Sequence, residues 1–350
     1  MEKKKNFKKI GLILLVILLP LFSFGGTVMF KYFNDISVKT RGQDTQIIVN
    51  SGETLPQIAE KLKNFGWISN KKSFEFYAKF NKKTDFKAGV YKFEGEKSIP
   101  EILEILNSGQ VQKTFAVTFL PGGTVGGAKK SLISAGFSEQ EVDEALKLDY
   151  SKDFPVLFAD KPADADLEGY FYGETHIFEK GTSAKVVISR FFLDFEKKIK
   201  EMDLAEKFKK RDLNLYQGIT LASIVQKESI GCGAKLICED QRQIAGVFFN
   251  RMKQGMNLGS DVTYQYIADK TGVARDTQLS SPYNLRINPG LTPTPISTPS
   301  LSALNAVAEP AEHDYLFFLS GDDDQTYFGK TSADHEKNIV NHCKEKCKII

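Results

Sequence analysis

Between Ile10 and Phe30 no side chain carries a charge, and Lys3, Lys4, Lys5, Lys8 and Lys9 stand just ahead of that run. An apolar stretch of this length reaches across a bilayer as a helix. The lysines favour the cytoplasmic side for the N-terminal flank, which sends everything after Lys31 to the opposite face. A cleaved signal peptide is the competing reading. Ser23-Phe24-Gly25 is a poor small-x-small match for cleavage, although Pro20 and the Gly25-Gly26 pair keep that alternative open. The expectation is a basic cytoplasmic tail over residues 1–9, one transmembrane helix over 10–30 in the cytoplasmic membrane, and an extracytoplasmic bulk.

With 350 residues there is room for two or three domains. The 47 basic and 44 acidic side chains leave a net charge of +3, too even a balance to leave an electrostatic footprint for nucleic acid. An oxidising compartment permits disulfides among Cys232, Cys238, Cys343 and Cys347, with the pairing open. His342-Cys343-x3-Cys347 lacks a second Cys/His pair, so no metal site and no cofactor is expected.

Asn34 to Asp44 is polar and reads as the end of a linker over residues 31–44. Thr45 to Val49 alternates like a strand and meets a turn at Ser51-Gly52. Leu55, Ile58, Ala59 and Leu62 follow at helical spacing behind Thr54 as N-cap. A second helix carries Phe74 to Phe80, Gly89 to Phe93 is a strand, and Ser98-Ile99-Pro100 opens a helix through Leu106. This strand–helix–helix–strand–helix order is a small module over residues 45–110. Phe115 to Phe119, followed by Pro121 to Thr124, restarts the strand–turn–helix pattern and begins a connecting segment over 111–165. The texture changes at Leu167, and the rest, 166–350, reads as a mixed α+β domain. It holds a long Pro/Ser/Thr/Asn-rich loop over 280–300, of a length that marks function. The predicted fold class is α+β.

Asn214-Leu215-Tyr216-Gln217 opens a helix, with Asn as cap and Gln three residues on reaching back. Glu228 lies seven, four and three residues beyond Leu221, Ile224 and Val225, on their buried stripe. Desolvation there raises the pKa of a glutamate, and a carboxylic acid still protonated near neutral pH is what a glycosidic oxygen needs from its leaving-group acid. A solvated helix-end glutamate, or one paired with Lys227 or Arg251, is the plainer reading of this position alone. Downstream, Leu258 to Tyr266 and Ser281 to Gly290 interleave hydroxyls, amides and rings in loops, a composition suited to sugars and equally to a capped, turn-rich surface.

The runs Leu221-Ala222-Ser223-Ile224-Val225-Gln226-Lys227-Glu228, Val247-Phe248-Phe249-Asn250-Arg251-Met252, Ser260-Asp261-x-Thr263, Ser281-x-Tyr283-Asn284 and Gly290 to Ile296 occur in that order. Together with Leu167-Glu168-Gly169-Tyr170 and Tyr315-Leu316-Phe317-Phe318, they resemble the endolytic murein transglycosylase (YceG-like) family, from the anchor to about Lys337. The resemblance implies a LysM-like module at residues 45–110 and a catalytic domain whose acid/base is Glu228. It implies non-hydrolytic cleavage of the β-1,4 bond between N-acetylmuramic acid and N-acetylglucosamine in peptidoglycan glycan strands, with a peptidoglycan synthase (a penicillin-binding protein) as partner. Tyr283 and Asn284 are the expected contacts to acetamido groups, with Ser260, Asp261, Thr263 and Glu174 as further substrate-binding candidates. Asp261 also fits a helix cap. The four histidines, His176, His313, His335 and His342, are expected to be structural or on the surface. The chain departs from the family pattern at Gly173-Glu174, Thr175-His176, Val262 and Leu285-Arg286, which bears on subsite contacts. Rival readings are a glycoside hydrolase on the same scaffold and a non-catalytic peptidoglycan-binding or division scaffold.

Overall fold

The computed structural model describes residues 31–43, 46–50, 52–108 and 114–348. The apolar run at residues 10–30 lies outside these, and among the described residues no helix is long and apolar enough to cross a membrane. The chain divides into two compact units, with the boundary between Phe115 and Ala116.

In the first unit, residues 31–37 are helical (α1), then come β1 (Gln46–Val49), α2 (Leu55–Asn64), α3 (Lys71–Phe80), β2 (Gly89–Lys92) and α4 (Ile99–Asn107). β1 and β2 pair antiparallel, Gln46 opposite Lys92 and Val49 opposite Gly89. Thr54 and Gln57 form a reciprocal capping box at α2, as Ser98 and Glu101 do at α4. Ile47, Ile58, Leu62, Trp67, Phe74 and Phe93 build the core. The polar-linker expectation fails at its start, because Ile36 is buried in that core and Tyr32 packs against it. One apolar residue per helical turn is enough to dock a short helix where composition alone reads as linker.

The second unit opens with β3 (Thr114–Thr118), α5 (Val125–Ser134) and α6 (Glu139–Leu146). It continues through β4 (Thr175–Glu179), α7 (Ala184–Glu201), α8 (Leu204–Lys209), α9 (Leu215–Glu228), α10 (Glu239–Lys253), α11 (Asp261–Thr271) and α12 (Leu301–Ala308). The hairpin β5 (Phe317–Ser320) and β6 (Thr326–Gly329), α13 (Ser332–His342) and a 3-10 turn complete it. β3 pairs with β4, and β5 pairs antiparallel with β6. Phe191, Phe192 and Phe195 of α7 are fully buried beside Phe119, Tyr150, Phe158 and Phe171. Each such ring stabilises the fold by about 1.5–3 kcal/mol through burial.

α9 is the central element. It packs on α8, α10, α11 and α12, and every residue from Tyr216 to Val225 except Gln217 is buried. The expected single stripe is therefore too narrow a description: the helix is enclosed on all sides up to its last turn. Asn214 and Gln217 make the predicted capping box at its start.

Candidate active site

Glu228 is the final residue of α9, where the enclosed helix emerges into a cavity of about 1000 Å³. Arg251, Asp261, Arg286, Phe317 and His335 share its walls. Packing around the carboxyl group raises its pKa to about 7, since burial penalises the charged form. Ser260 donates its hydroxyl to Oε1 at 2.5 Å and partly opposes that rise, as does the charge of Arg251, while Asp261 adds to it. Ser260 is the N-cap of α11, yet its hydroxyl does not cap the helix. It serves Glu228 instead.

Arg251 is fixed by backbone carbonyls: Nε donates to Leu316 at 2.6 Å and Nη1 to Leu258 at 2.7 Å, with the guanidinium over the Phe317 ring. Its approach to Leu258 passes Gly259, whose φ is +64°; a Cβ there would stand 2.5 Å from Nη1. Asn250 next to it donates to the carbonyls of His313 and Tyr315 at 2.8 and 3.0 Å. This gives the Asn250-Arg251 and Tyr315 to Phe318 runs one joint purpose, which is to fasten the start of β5 to α10.

The structure brings Glu228, Ser260 and Asp261 together. Asp261 lines the cavity and is ion-paired with Arg286. Thr263 and Asn284 lie next to the site without reaching it. Thr263 is fully buried and donates to the Ser260 carbonyl at 2.7 Å. Asn284, also fully buried, donates to Thr277 and Leu279 at 3.0 Å each and accepts from Arg286 N at 3.1 Å. With their polar atoms spent on backbone, both shape the site's loops. Tyr283 is half-buried, its hydroxyl 2.9 Å from that of Thr294 and its ring beside Tyr266, and it is not among the cavity walls. Glu174 is exposed and groups with His176 and Asp194, away from those walls. Asp194 there also pairs with Arg190, which occupies the charge a cation would need.

Sequence reasoning missed Arg251 and His335 as site residues. His335 of α13 lines the cavity, its Nδ1 buried without a hydrogen-bond partner, and burial beside Arg251 holds its pKa below the ordinary value. Arg251 was legible only as a candidate ion-pair partner of Glu228 and as part of the run Val247 to Met252. His335 carried no signal, since nothing in its spacing ties it to Glu228. His313 is structural, as expected, accepting from Tyr315 N at 3.2 Å. The cysteines pair locally, Cys232 with Cys238 and Cys343 with Cys347, and the second pair forms part of the cavity wall.

A mixed α+β unit with a half-buried glutamate, its pKa raised to about 7, facing a cavity of mixed polar and apolar lining defines a class: a protein equipped for general-acid chemistry. The chain belongs to the YceG-like family, whose description it matches over residues 47–341. It is 28% identical to the endolytic murein transglycosylase of Streptococcus pneumoniae serotype 2 strain D39, over 95% of this chain. The chain spans about 65% of that relative's length. The Bacillus subtilis protein of the same name is also 28% identical, over 84% of this chain and 85% of its own length. The crystal structure of a YceG-like protein from Listeria monocytogenes superimposes with a TM-score of 0.56 at 25% identity, covering 83% of this chain and 97% of the other.

Proposed function

We propose that this chain is a lytic transglycosylase that cleaves the β-1,4 bond between N-acetylmuramic acid and N-acetylglucosamine in peptidoglycan strands. The observation that carries the reading is the Glu228 carboxyl, raised to about 7 and facing a cavity of about 1000 Å³. The name of the two murein transglycosylase relatives supports the substrate.

Glu228, protonated, gives its proton to the glycosidic oxygen as the bond from that oxygen to C1 of the muramic residue breaks. The C6 hydroxyl oxygen of the same residue then bonds to C1, and its proton returns to the Glu228 carboxylate. Every atom is accounted for without water or a cofactor, and the product ends in a 1,6-anhydro sugar. One carboxyl with a pKa near neutrality suits both halves of this cycle. Arg251 stabilises the carboxylate formed midway, and Ser260 orients it. Substrate contacts are assigned to Asp261, with Tyr283 as an outer ring contact.

The remaining parts of the reading follow the same family. The antiparallel β–α–α–β order supports a LysM-like module at residues 45–110. The lysine-flanked apolar run supports a single-pass anchor at 10–30 in the cytoplasmic membrane, with residues 166–350 catalytic on the outer side. Cutting strands beside a peptidoglycan synthase would then end their elongation.

Mass spectrometry of uncross-linked glycan strands incubated with the chain and with its Glu228→Gln variant tests this. Anhydro-ended fragments from the wild type alone are the expected result. Reducing ends would make the protein a hydrolase, and no cleavage by folded wild type would overturn the enzymatic reading.

A further inference from the structure

Glu168 is a buried carboxyl, 1% exposed, and the reaction above makes no use of it. It is absent from the walls of the Glu228 cavity. Its Oε1 accepts from Val125 N and its Oε2 from the Tyr266 hydroxyl, each at 2.9 Å. Lys270 donates to the same Tyr266 oxygen at 2.9 Å and to Asp166 Oδ2 at 2.8 Å, while Asp166 Oδ1 accepts from Glu168 N at 3.0 Å. The knot is closed, and two of its members, Tyr266 and Lys270, lie on α11. Gly169 lets the chain carrying Glu168 press against Pro295: its φ is +87°, and a Cβ there would stand 2.5 Å from the proline ring. The segment after Pro295 is in turn bonded to α9, through Ile296 N to the Ser223 hydroxyl at 3.0 Å and Ser300 N to Gln226 at 2.9 Å.

α11 therefore has a polar tether at its N-cap and another at its middle. Its N-cap, Ser260, holds Glu228, and six residues on, about 9 Å along a helix, Tyr266 is held by Glu168. Only Thr263, Tyr264 and Ala268 of this helix are buried, so apolar packing alone leaves its rotation and slide weakly defined. A hydroxyl that must stay on one carboxylate oxygen needs that freedom removed.

We propose that Glu168 is a positioning residue which, through Tyr266, fixes α11 and thereby holds the Ser260 hydroxyl on Glu228. The proposal rests on the reading of Glu228 as the acid. The charged and titratable groups facing Glu228 are Asp261 from α11 and Arg251 from α10, together with the Ser260 hydroxyl, and Arg286 and His335 of α13 share its cavity; those facing Glu168 are Asp166, Tyr266 and Lys270. Because the Ser260 bond favours ionised Glu228, slackening the tether moves the titration of Glu228 to higher pH, an effect that loss of fold stability alone does not produce.

The test uses the full chain as wild type, Tyr266→Phe, Glu168→Gln, Glu168→Ala, Ser260→Ala and the Tyr266→Phe/Ser260→Ala double variant. Glutamate side chains labelled with 13C are titrated by NMR, with Glu228 assigned by its loss in Glu228→Gln, and kcat and KM are measured against pH on uncross-linked strands. Tyr266→Phe is expected to raise the pH at which Glu228 titrates and to lower kcat by about three- to tenfold, with KM within about twofold. Glu168→Gln should retain more activity than Glu168→Ala, and the double variant should titrate as Ser260→Ala does. A folded Tyr266→Phe protein with unchanged Glu228 titration and unchanged kcat overturns the proposal, even if Glu168→Ala fails to fold. If wild type cleaves nothing, the reading of Glu228 fails separately, and the NMR titration still decides whether the tether acts.

Discussion

Glu228 owes its chemistry to three neighbours whose effects have opposite signs. Burial and Asp261 push its pKa up, and the Ser260 hydroxyl and the Arg251 cation pull it down, leaving it at about 7. For an acid that must begin protonated, kcat/KM falls as pH rises through that value, and a pH–rate profile flat from 6 to 9 would contradict the assignment. Arg251→Gln removes the cation, so the fall should move to higher pH. The same change strips donors from the Leu316 and Leu258 carbonyls. Each carbonyl left unpaired costs about 1–3 kcal/mol, so thermal unfolding should occur at lower temperature. Of these four residues, the sequence pointed to Glu228, Ser260 and Asp261. It did so by different routes: Glu228 by helical spacing, the other two through the family pattern. Arg251 is different, because the carbonyls that hold it, apart from Leu258, come from a segment 65 residues away. No local pattern encodes that pairing.

At the level of elements, helices with strong caps were the most legible. Asn214 and Gln217 start α9 where the sequence places them. β4 was not legible. Thr175–Glu179 is short and only partly buried, and it becomes a strand by pairing with β3. In the connecting segment α6 is followed by turns, tied to α7 by Val156 N and Leu157 N donating to Glu196. The 280–300 loop was correctly read as structured, but the role of Asn284 inside it was not, since an amide suited to acetamido groups is equally suited to bracing backbone. That bracing predicts a clear outcome. Asn284→Ala leaves two carbonyls and one N–H without partners in a half-buried place, and should destabilise the second unit by about 2–3 kcal/mol. Tyr283→Phe loses one hydroxyl contact and should cost about 0.5–1.5 kcal/mol. Chemical denaturation of the two variants side by side distinguishes a brace from a rim residue, and equal losses would place both in the same role.

Across the whole molecule, two desolvated carboxyls give stability a pH dependence opposite to that of ordinary surface acids. Glu228 and Glu168 both have folded-state pKa values of about 7, above the ordinary 4.5. Between those pH values the folded chain binds more protons than the unfolded one, so the contribution of each group is complete below about pH 4.5 and is lost as pH rises through about 7. Exposed acids such as Glu101, held down to about 2 by Ser98 and Lys39, act in the other direction at lower pH, and His335, held below its ordinary 6.5 by burial beside Arg251, acts in the other direction too. Glu228→Gln cannot ionise, and it keeps the shape and one oxygen to accept from Ser260. It should therefore unfold at a higher temperature than wild type at pH 8, by an amount on the order of 2–3 kcal/mol, and match it near pH 5. Differential scanning calorimetry at the two pH values measures this directly. A variant no more stable than wild type at pH 8 would mean that the Glu228 carboxylate is well solvated in the folded protein. The proposed protonation of a glycosidic oxygen would then fall to an ordinary carboxylic acid. A stabilised variant that has also lost activity shows the trade expected of a buried acid kept for chemistry at the expense of the fold.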